Sequence, residues 1–111
     1  MKVGIIRCMQ TEDICPGTDD FLAVKNHTGA FAGIEEEIDL VGFCNCGGCP
    51  GNRVVLRAKK LVEQGAQLIA FSTCIQKGRD ICFPCPYAQK MKDNIRQALG
   101  DDVTILNSSH D

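Results

Sequence analysis

Cysteine is the residue type that carries most of the chemistry this sequence can perform. The 111-residue chain contains eight cysteines, and three of them directly precede proline, at Cys15, Cys49 and Cys85. Proline is favoured at the first position of a helix, where backbone N–H groups and the helix dipole stabilise a thiolate. Each Cys-Pro pair therefore predicts a thiol at the start of a helix, in a position suited to binding a metal.

The densest cysteine segment contains Cys46 and Cys49 separated by two glycines. Glycine has no Cβ, so this turn can fold back with both sulfurs pointing inward and its N–H groups facing an anionic centre. A second pair with the same spacing, Cys82 and Cys85, precedes the last predicted helix. Because this spacing also occurs in thiol-disulfide oxidoreductases, it leaves both metal binding and redox chemistry open.

The elements that must position these cysteines are short apolar runs alternating with amphipathic segments. Four runs rich in β-branched and aromatic residues predict strands covered on both faces. A weak helical pattern begins near Thr18, a strong one begins at Val54 and stops at Gly65, and a third follows Pro86. The predicted strands are Lys2–Ile6, Ile38–Phe43, Leu68–Phe71 and Val103–Leu106.

This alternation predicts an α/β fold, a small three-layer sheet of about four parallel strands in the order 2-1-3-4, flavodoxin-like or Rossmann-like. Ligands of such sheets bind at the carboxyl edge, where the strand order reverses. Cys8 follows the first strand and Cys74 the third, so we expect their sulfurs and that of Cys49 within roughly 10 Å of one another. The acidic run Glu35–Glu37 is expected at the opposite edge.

Three further residues at this edge have more than one interpretation. His110 follows the fourth strand and is a candidate nitrogen ligand, although a frayed terminal histidine is the alternative. Cys44 closes the second strand, where its side chain could equally pack in a helix–sheet layer or bind the metal. Cys82 is a candidate ligand, resolving thiol or surface residue.

Composition and charge exclude several classes of protein. A net charge of -2 with dispersed Lys and Arg, one Tyr and no Trp argues against binding to nucleic acid. The N-terminus lacks the apolar core of a secretion signal, and no run is long enough to span a membrane. We therefore expect a cytoplasmic protein of one domain, 1–111, whose cysteines stay reduced and serve metal binding or catalysis.

Several segments together resemble the CGGC-domain family, small cysteine-rich proteins found largely in anaerobic bacteria and archaea. The resemblance covers nearly the whole chain and implies a single CGGC-type domain that binds metal through cysteines and histidines. Tyr87 stands where some members carry histidine. The matching segments are Met1–Cys8, Thr11–Thr18, Val41–Phe43, Cys46–Gly51, Cys74 with Lys77 and Gly78, and Pro84–Pro86. The resemblance implies a site made by Cys8, Cys15, Cys46, Cys49, Cys74 and Cys85, with a late histidine at or near His110.

These observations predict a metal-binding protein whose thiolates hold an iron–sulfur cluster or zinc. Two Cys-x-x-Cys pairs would satisfy zinc but would leave Cys8, Cys15 and Cys74 unused, which favours a cluster. The alternative is a thiol-disulfide oxidoreductase built on Cys46 and Cys49. We find no catalytic triad, phosphate loop or dinucleotide fingerprint to support a conventional enzyme, and the sequence names no substrate and no protein partner.

Overall fold

The computed structural model describes residues 1–72, 75 and 85–106. Three of the predicted site residues, Cys74, Cys82 and His110, lie outside the described residues.

Four strands and three helices alternate along the described chain. The strands are β1 (Lys2–Arg7), β2 (Asp39–Asn45), β3 (Leu68–Phe71) and β4 (Thr104–Leu106). The helices are α1 (Thr18–Asn26), α2 (Val54–Glu63) and α3 (Ala88–Leu99), and short 3-10 turns cover Met9–Thr11, Gly29–Phe31 and Gly100–Asp102.

The sheet is wholly parallel, with the strand order β2-β1-β3-β4. The predicted α/β fold and strand order are therefore confirmed. In register, Ile6 lies between Cys44 of β2 and Phe71 of β3, so the three strands end close together at the carboxyl edge. The acidic run before β2 lies at the other edge, where the N-terminal amine is 3.4 Å from a carboxylate oxygen of Glu36.

Alternate residues of the strands bury opposite faces of the sheet, which produces three layers. Ile6 packs with the apolar faces of α2 and α3, including Ala58 and Ile95. Its neighbour Ile5 packs on the other face with Ala23 of α1 and Phe31. Both faces of the sheet are thus covered, as its apolar strands require.

In helix α1 the largest apolar side chains are not the buried ones. Phe21 and Leu22 are 47% and 46% exposed, whereas Asp20 and Ala23 are buried. The carboxylate of Asp20 accepts a hydrogen bond of 3.2 Å from Ser72 Oγ, which compensates its burial. Phe21 instead stacks on Phe43 of β2, with ring centroids 4.9 Å apart.

Candidate metal centre

Four cysteines line one small cavity at the carboxyl edge of the sheet. They are Cys8, Cys46, Cys49 and Cys85, and we call this cavity the cysteine pocket. Its volume is about 10 Å³, which is about the space that one water molecule occupies. The remaining lining residues are Pro50, Gly51, Ile75, Tyr87 and Met91.

Cys8 and Cys46 are held in the pocket by the ends of β1 and β2. Both side chains are buried, at 8% and 5% exposure. The N–H of Cys46 donates to the carbonyl of Arg7 at 2.8 Å, which extends the hydrogen bonding between the two strands by one residue. The carbonyl of Cys8 accepts a 3.1 Å bond from the hydroxyl of the fully buried Thr11. These two positions are therefore set by the sheet itself.

The turn that carries Cys49 depends on glycine. Gly51 has φ +88° and donates its N–H to the carbonyl of Gly48 at 2.7 Å. A Cβ at Gly51 would lie 2.4 Å from the sulfur of Met91 on α3, so any side chain there would collide with the pocket wall. The turn consequently lies against α3 and leaves Cys49 exposed above the buried Cys46.

Cys85 enters the pocket from the segment that precedes α3. Its N–H donates to the carbonyl of Ile75 at 2.8 Å. Burial raises the pKa of its thiol, hydrogen bonds from the N–H groups of Tyr87 and Ala88 oppose this, and the nearby Cys46 and Cys49 raise it further. A thiolate at Cys85 is thus favoured by the start of a helix and disfavoured by neighbouring thiolates, a repulsion that a bound cation would relieve.

Cys44 does not line the cysteine pocket. Its half-buried side chain packs against the α2–α3 layer and lines a groove beside Arg57. Burial is the main cause that raises its pKa, Arg57 lowers it, and the nearby Cys46 raises it further. Of the two interpretations of Cys44, the structure therefore supports packing in the helix–sheet layer.

Cys15 is half-buried and is not among the residues that line the cysteine pocket. Its N–H donates to the carbonyl of Thr11 at 2.8 Å, and its own carbonyl accepts a hydrogen bond from Nη2 of Arg7. Cys15 therefore stays a predicted ligand that does not line the cysteine pocket itself.

The Cys-Pro pairs precede helices, but in none of the three is proline the first helical residue. Helices α1 and α3 begin two residues after Pro16 and Pro86, and α2 begins four residues after Pro50. Extra turn residues intervene because Gly17 caps α1 in a left-handed conformation, and Gly51 forms a turn ahead of α2. The predicted placement is wrong in this detail, although Cys85 still receives N–H groups from the start of α3.

Within residues 1–72, 75 and 85–106, no three His, Cys, Asp or Glu side chains have the geometry to hold a metal ion. The four pocket cysteines share a cavity without forming a finished ligand set. Cys74, expected at the end of β3 on the same edge, lies outside those ranges.

Sequence reasoning missed a polar network on the outer side of the β2 end. Arg7, the last residue of β1, is only 8% exposed. Arg57 of α2 donates to both oxygens of Asn45, at 3.1 Å to the backbone carbonyl and 2.8 Å to Oδ1. The position of Asn45 between two cysteines at a strand end was the one available signal.

A parallel α/β sheet with several cysteines at its carboxyl edge defines the class of this protein as a small cysteine-rich α/β protein. The CGGC-domain family matches residues 2–110, and the chain belongs to that family. Membership suggests metal binding by the cysteines. In the ranges that the structure covers, none of the helices is long and apolar enough to cross a membrane.

Two archaeal proteins from Methanocaldococcus jannaschii are similar to this chain. Uncharacterized protein MJ0582 is 39% identical over 111 aligned positions, covering 95% of this chain and 81% of the relative. Uncharacterized protein MJ0766 is 38% identical over 66 positions, covering 59% of this chain and 91% of the relative. No solved structure matches the chain significantly.

Proposed function

We propose that the chain binds a metal through the thiolates of the cysteine pocket. The observation that carries this proposal is that cysteines from three separate segments line one cavity: Cys8, Cys46 with Cys49, and Cys85. Packing explains a single buried cysteine well, but it explains less well why four cysteines from three segments line the same cavity. Cys74 is proposed as a further ligand from the end of β3.

The chemistry of these donors favours a soft metal. Thiolates select zinc, iron–sulfur clusters and copper(I), whereas magnesium and calcium require oxygen ligands. The acidic run Glu35–Glu37 lies before β2 at the opposite edge of the sheet, and no Asp or Glu is among the described residues that line the cysteine pocket. Hard-metal binding at the cysteine pocket is therefore not supported.

The number of pocket cysteines suits a single zinc ion, because structural zinc sites use four ligands and a set of four cysteines is one of their common forms. Four cysteines also hold iron–sulfur clusters. We therefore propose a zinc-type site, with a cluster as the alternative that the same measurement detects.

A thiol-disulfide oxidoreductase is the second candidate, because Cys49 is exposed and its motif partner Cys46 is buried at 5%. An accessible thiol paired with a protected one is the arrangement of redox motifs. However, α2 begins at Val54, five residues after Cys49. Cys49 therefore does not lie directly at the start of a helix, where the reactive thiol of such motifs is stabilised. Both candidates require reduced cysteines, which makes the cytoplasm the proposed compartment.

The test is anaerobic purification followed by analysis of metals and acid-labile sulfide, with an absorption spectrum. Stoichiometric zinc without sulfide supports the single-ion site. Iron with equimolar sulfide and visible absorption would replace it with the cluster. Protein that contains no metal, and that takes up none when zinc or iron is supplied, would reject metal binding and leave the redox candidate.

A further inference from the structure

A second pocket lies on the outer side of the β2 end, one residue away from the cysteine pocket. It has a volume of about 290 Å³ and a polar lining with two arginines. We call it the arginine pocket. Its lining residues are Arg7, Glu12, Phe43, Cys44, Asn45 and Arg57.

Arg7 is fixed in this pocket by its surroundings. Its guanidinium lies 5.5 Å from the centre of the Phe43 ring, and Nη2 donates to the carbonyl of Cys15. Stacking on an aromatic face holds a guanidinium without neutralising its charge. Arg7 therefore presents an oriented cation to the pocket.

Arg57 is fixed from the opposite side by Asn45. One of its nitrogens, Nη1, donates to both oxygens of Asn45, and Asn45 Oδ1 also accepts the N–H of Gly47 at 2.7 Å. These partners are neutral, so the charge of Arg57 is oriented and not compensated by them. Two preorganised guanidinium groups are the donors that proteins use for carboxylates and phosphates.

Negative charge in the pocket is smaller than positive charge. The ion pairs among the described residues are Met1 with Glu36 and Lys60 with Glu63, and neither involves an arginine of the pocket. Glu12 also lines the pocket, where its carboxylate accepts a hydrogen bond from Asn45 Nδ2. Two arginines facing one carboxylate leave the pocket with a formal excess of one positive charge.

The arginine pocket opens into an apolar groove between β2 and α2. The groove has a volume of about 370 Å³, and Val41, Gly42 and Leu61 are among its lining residues. It shares three lining residues with the arginine pocket: Phe43, Cys44 and Arg57. A charged end and an apolar end are thus continuous along one strand.

From this juxtaposition we infer that the arginine pocket and its groove bind a small organic anion, with its carboxylate or phosphate between Arg7 and Arg57 and its apolar body along β2. The site is separate from the proposed metal centre, and its occupation requires no metal. It lies beside the turn of Cys46 and Cys49, because Gly47 shares the acceptor oxygen of Asn45 with Arg57.

The test is titration of the ¹⁵N-labelled protein with acetate, hexanoate, phosphate and phenyl phosphate at constant ionic strength. Shifts are expected at the Gly47 amide, the Asn45 side-chain amide and Arg57 Nε. Hexanoate should bind about tenfold more tightly than acetate, and phenyl phosphate about tenfold more tightly than phosphate, because the apolar part of each buries an area equivalent to about two methylene groups. The head group that binds more tightly identifies the ligand as a carboxylate or a phosphate.

Substitutions of matched shape test the assignment. Arg57→Gln should weaken binding at least about tenfold, since a charged hydrogen bond is lost. Asn45→Asp keeps the acceptor for Arg57 but adds negative charge, and should weaken binding similarly. Glu12→Gln removes the opposing charge and should strengthen binding several-fold. Arg96→Gln, on exposed α3 surface, is the control for loss of an arginine charge.

Three results would overturn the inference. One is the absence of shifts with all four anions at millimolar concentrations. Another is equal binding by Arg57→Gln and Arg96→Gln. The third is equal affinity of short and extended anions, which would remove the groove from the site. Because none of these readouts depends on bound metal, failure here would not bear on the cysteine pocket.

Discussion

The cysteine pocket and the arginine pocket are built from consecutive residues, yet their chemistry is opposite. Cys46 lies in a small cavity with apolar walls and soft sulfur donors, whereas Asn45 lines an open pocket with hard nitrogen donors. Asn45 is the last residue of β2 and Cys46 is the first residue beyond it, so the two pockets meet where the strand ends. Under the two proposals, one strand end serves a soft cation and an oxyanion with separate sets of donors.

The largest expected effect is a complete separation of the two binding activities. Cys46→Ser and Cys49→Ser should each lose bound metal, because both residues line the cysteine pocket, while hexanoate binding is retained. Arg57→Gln should show the reverse pattern. Metal content of anaerobically prepared protein and anion titration are the two measurements. Full metal in both cysteine variants would exclude this motif as the ligand.

The next effect is pH dependence confined to the cysteine pocket. The pKa of Cys85 is raised, mainly by burial, so its thiol stays protonated at a pH where an ordinary thiol has begun to ionise. Metal must displace that proton, and its affinity should therefore fall as pH is lowered, by about tenfold per pH unit for each thiol that titrates. Zinc competition assays over a pH series measure the slope. Cys85→Ser should lower the slope of zinc affinity against pH by the equivalent of one released proton. An unchanged slope would remove Cys85 from the ligand set.

A smaller effect is expected at the glycine that lets the motif turn lie against α3. Gly51→Ala requires a side chain at φ +88° and places a Cβ 2.4 Å from the Met91 sulfur. We expect a loss of about 1–2 kcal/mol in the free energy of unfolding from the backbone conformation, and weaker metal binding. Denaturant unfolding is the measurement. Gly33→Ala is the matched control, because nothing lies within 4 Å of its Cβ position. Equal stability of the two variants would show that the turn is not restrained by α3.

The smallest effect is expected for Cys44→Ser. Its side chain lines the groove on the outer side of β2 and is absent from the lining of the cysteine pocket. The variant should therefore keep most of its metal, in contrast to Cys46→Ser two residues later. Metal loss equal to that of Cys46→Ser would mean that Cys44 also serves as a ligand.

The fold was predictable because its signals are local. The run from Lys2 to Ile6 is apolar and β-branched, and the pattern after Val54 has a clear helical period, so element type and order follow directly. Helix α1 was the weakest prediction, since the burial of Asp20 depends on a hydrogen bond from Ser72, 52 residues away. Such a partner has no signature in the sequence of the helix itself.

The candidate site was predictable only in part for the same reason. Cys8, Cys46, Cys49 and Cys85 could be grouped because parallel topology brings strand ends together. The hydrogen bond from Arg7 to the carbonyl of Cys15 could not be foreseen, because it depends on the turn that follows β1. The arginine pocket was missed because Arg7 and Arg57 lie far apart in sequence, and only the pairing of β1 with β2 and the packing of α2 bring them together.

The dispersed origin of the four pocket thiols has a consequence for the protein's lifetime in the cell. Cys8, Cys46, Cys49 and Cys85 surround one cavity only when β1, β2 and the start of α3 are assembled. A metal held there binds the folded chain in preference to the unfolded one and withdraws molecules from the protease-sensitive state. Metal supply would then regulate turnover as well as occupancy. Pulse proteolysis with and without a chelator would reveal this as slower degradation of the loaded protein.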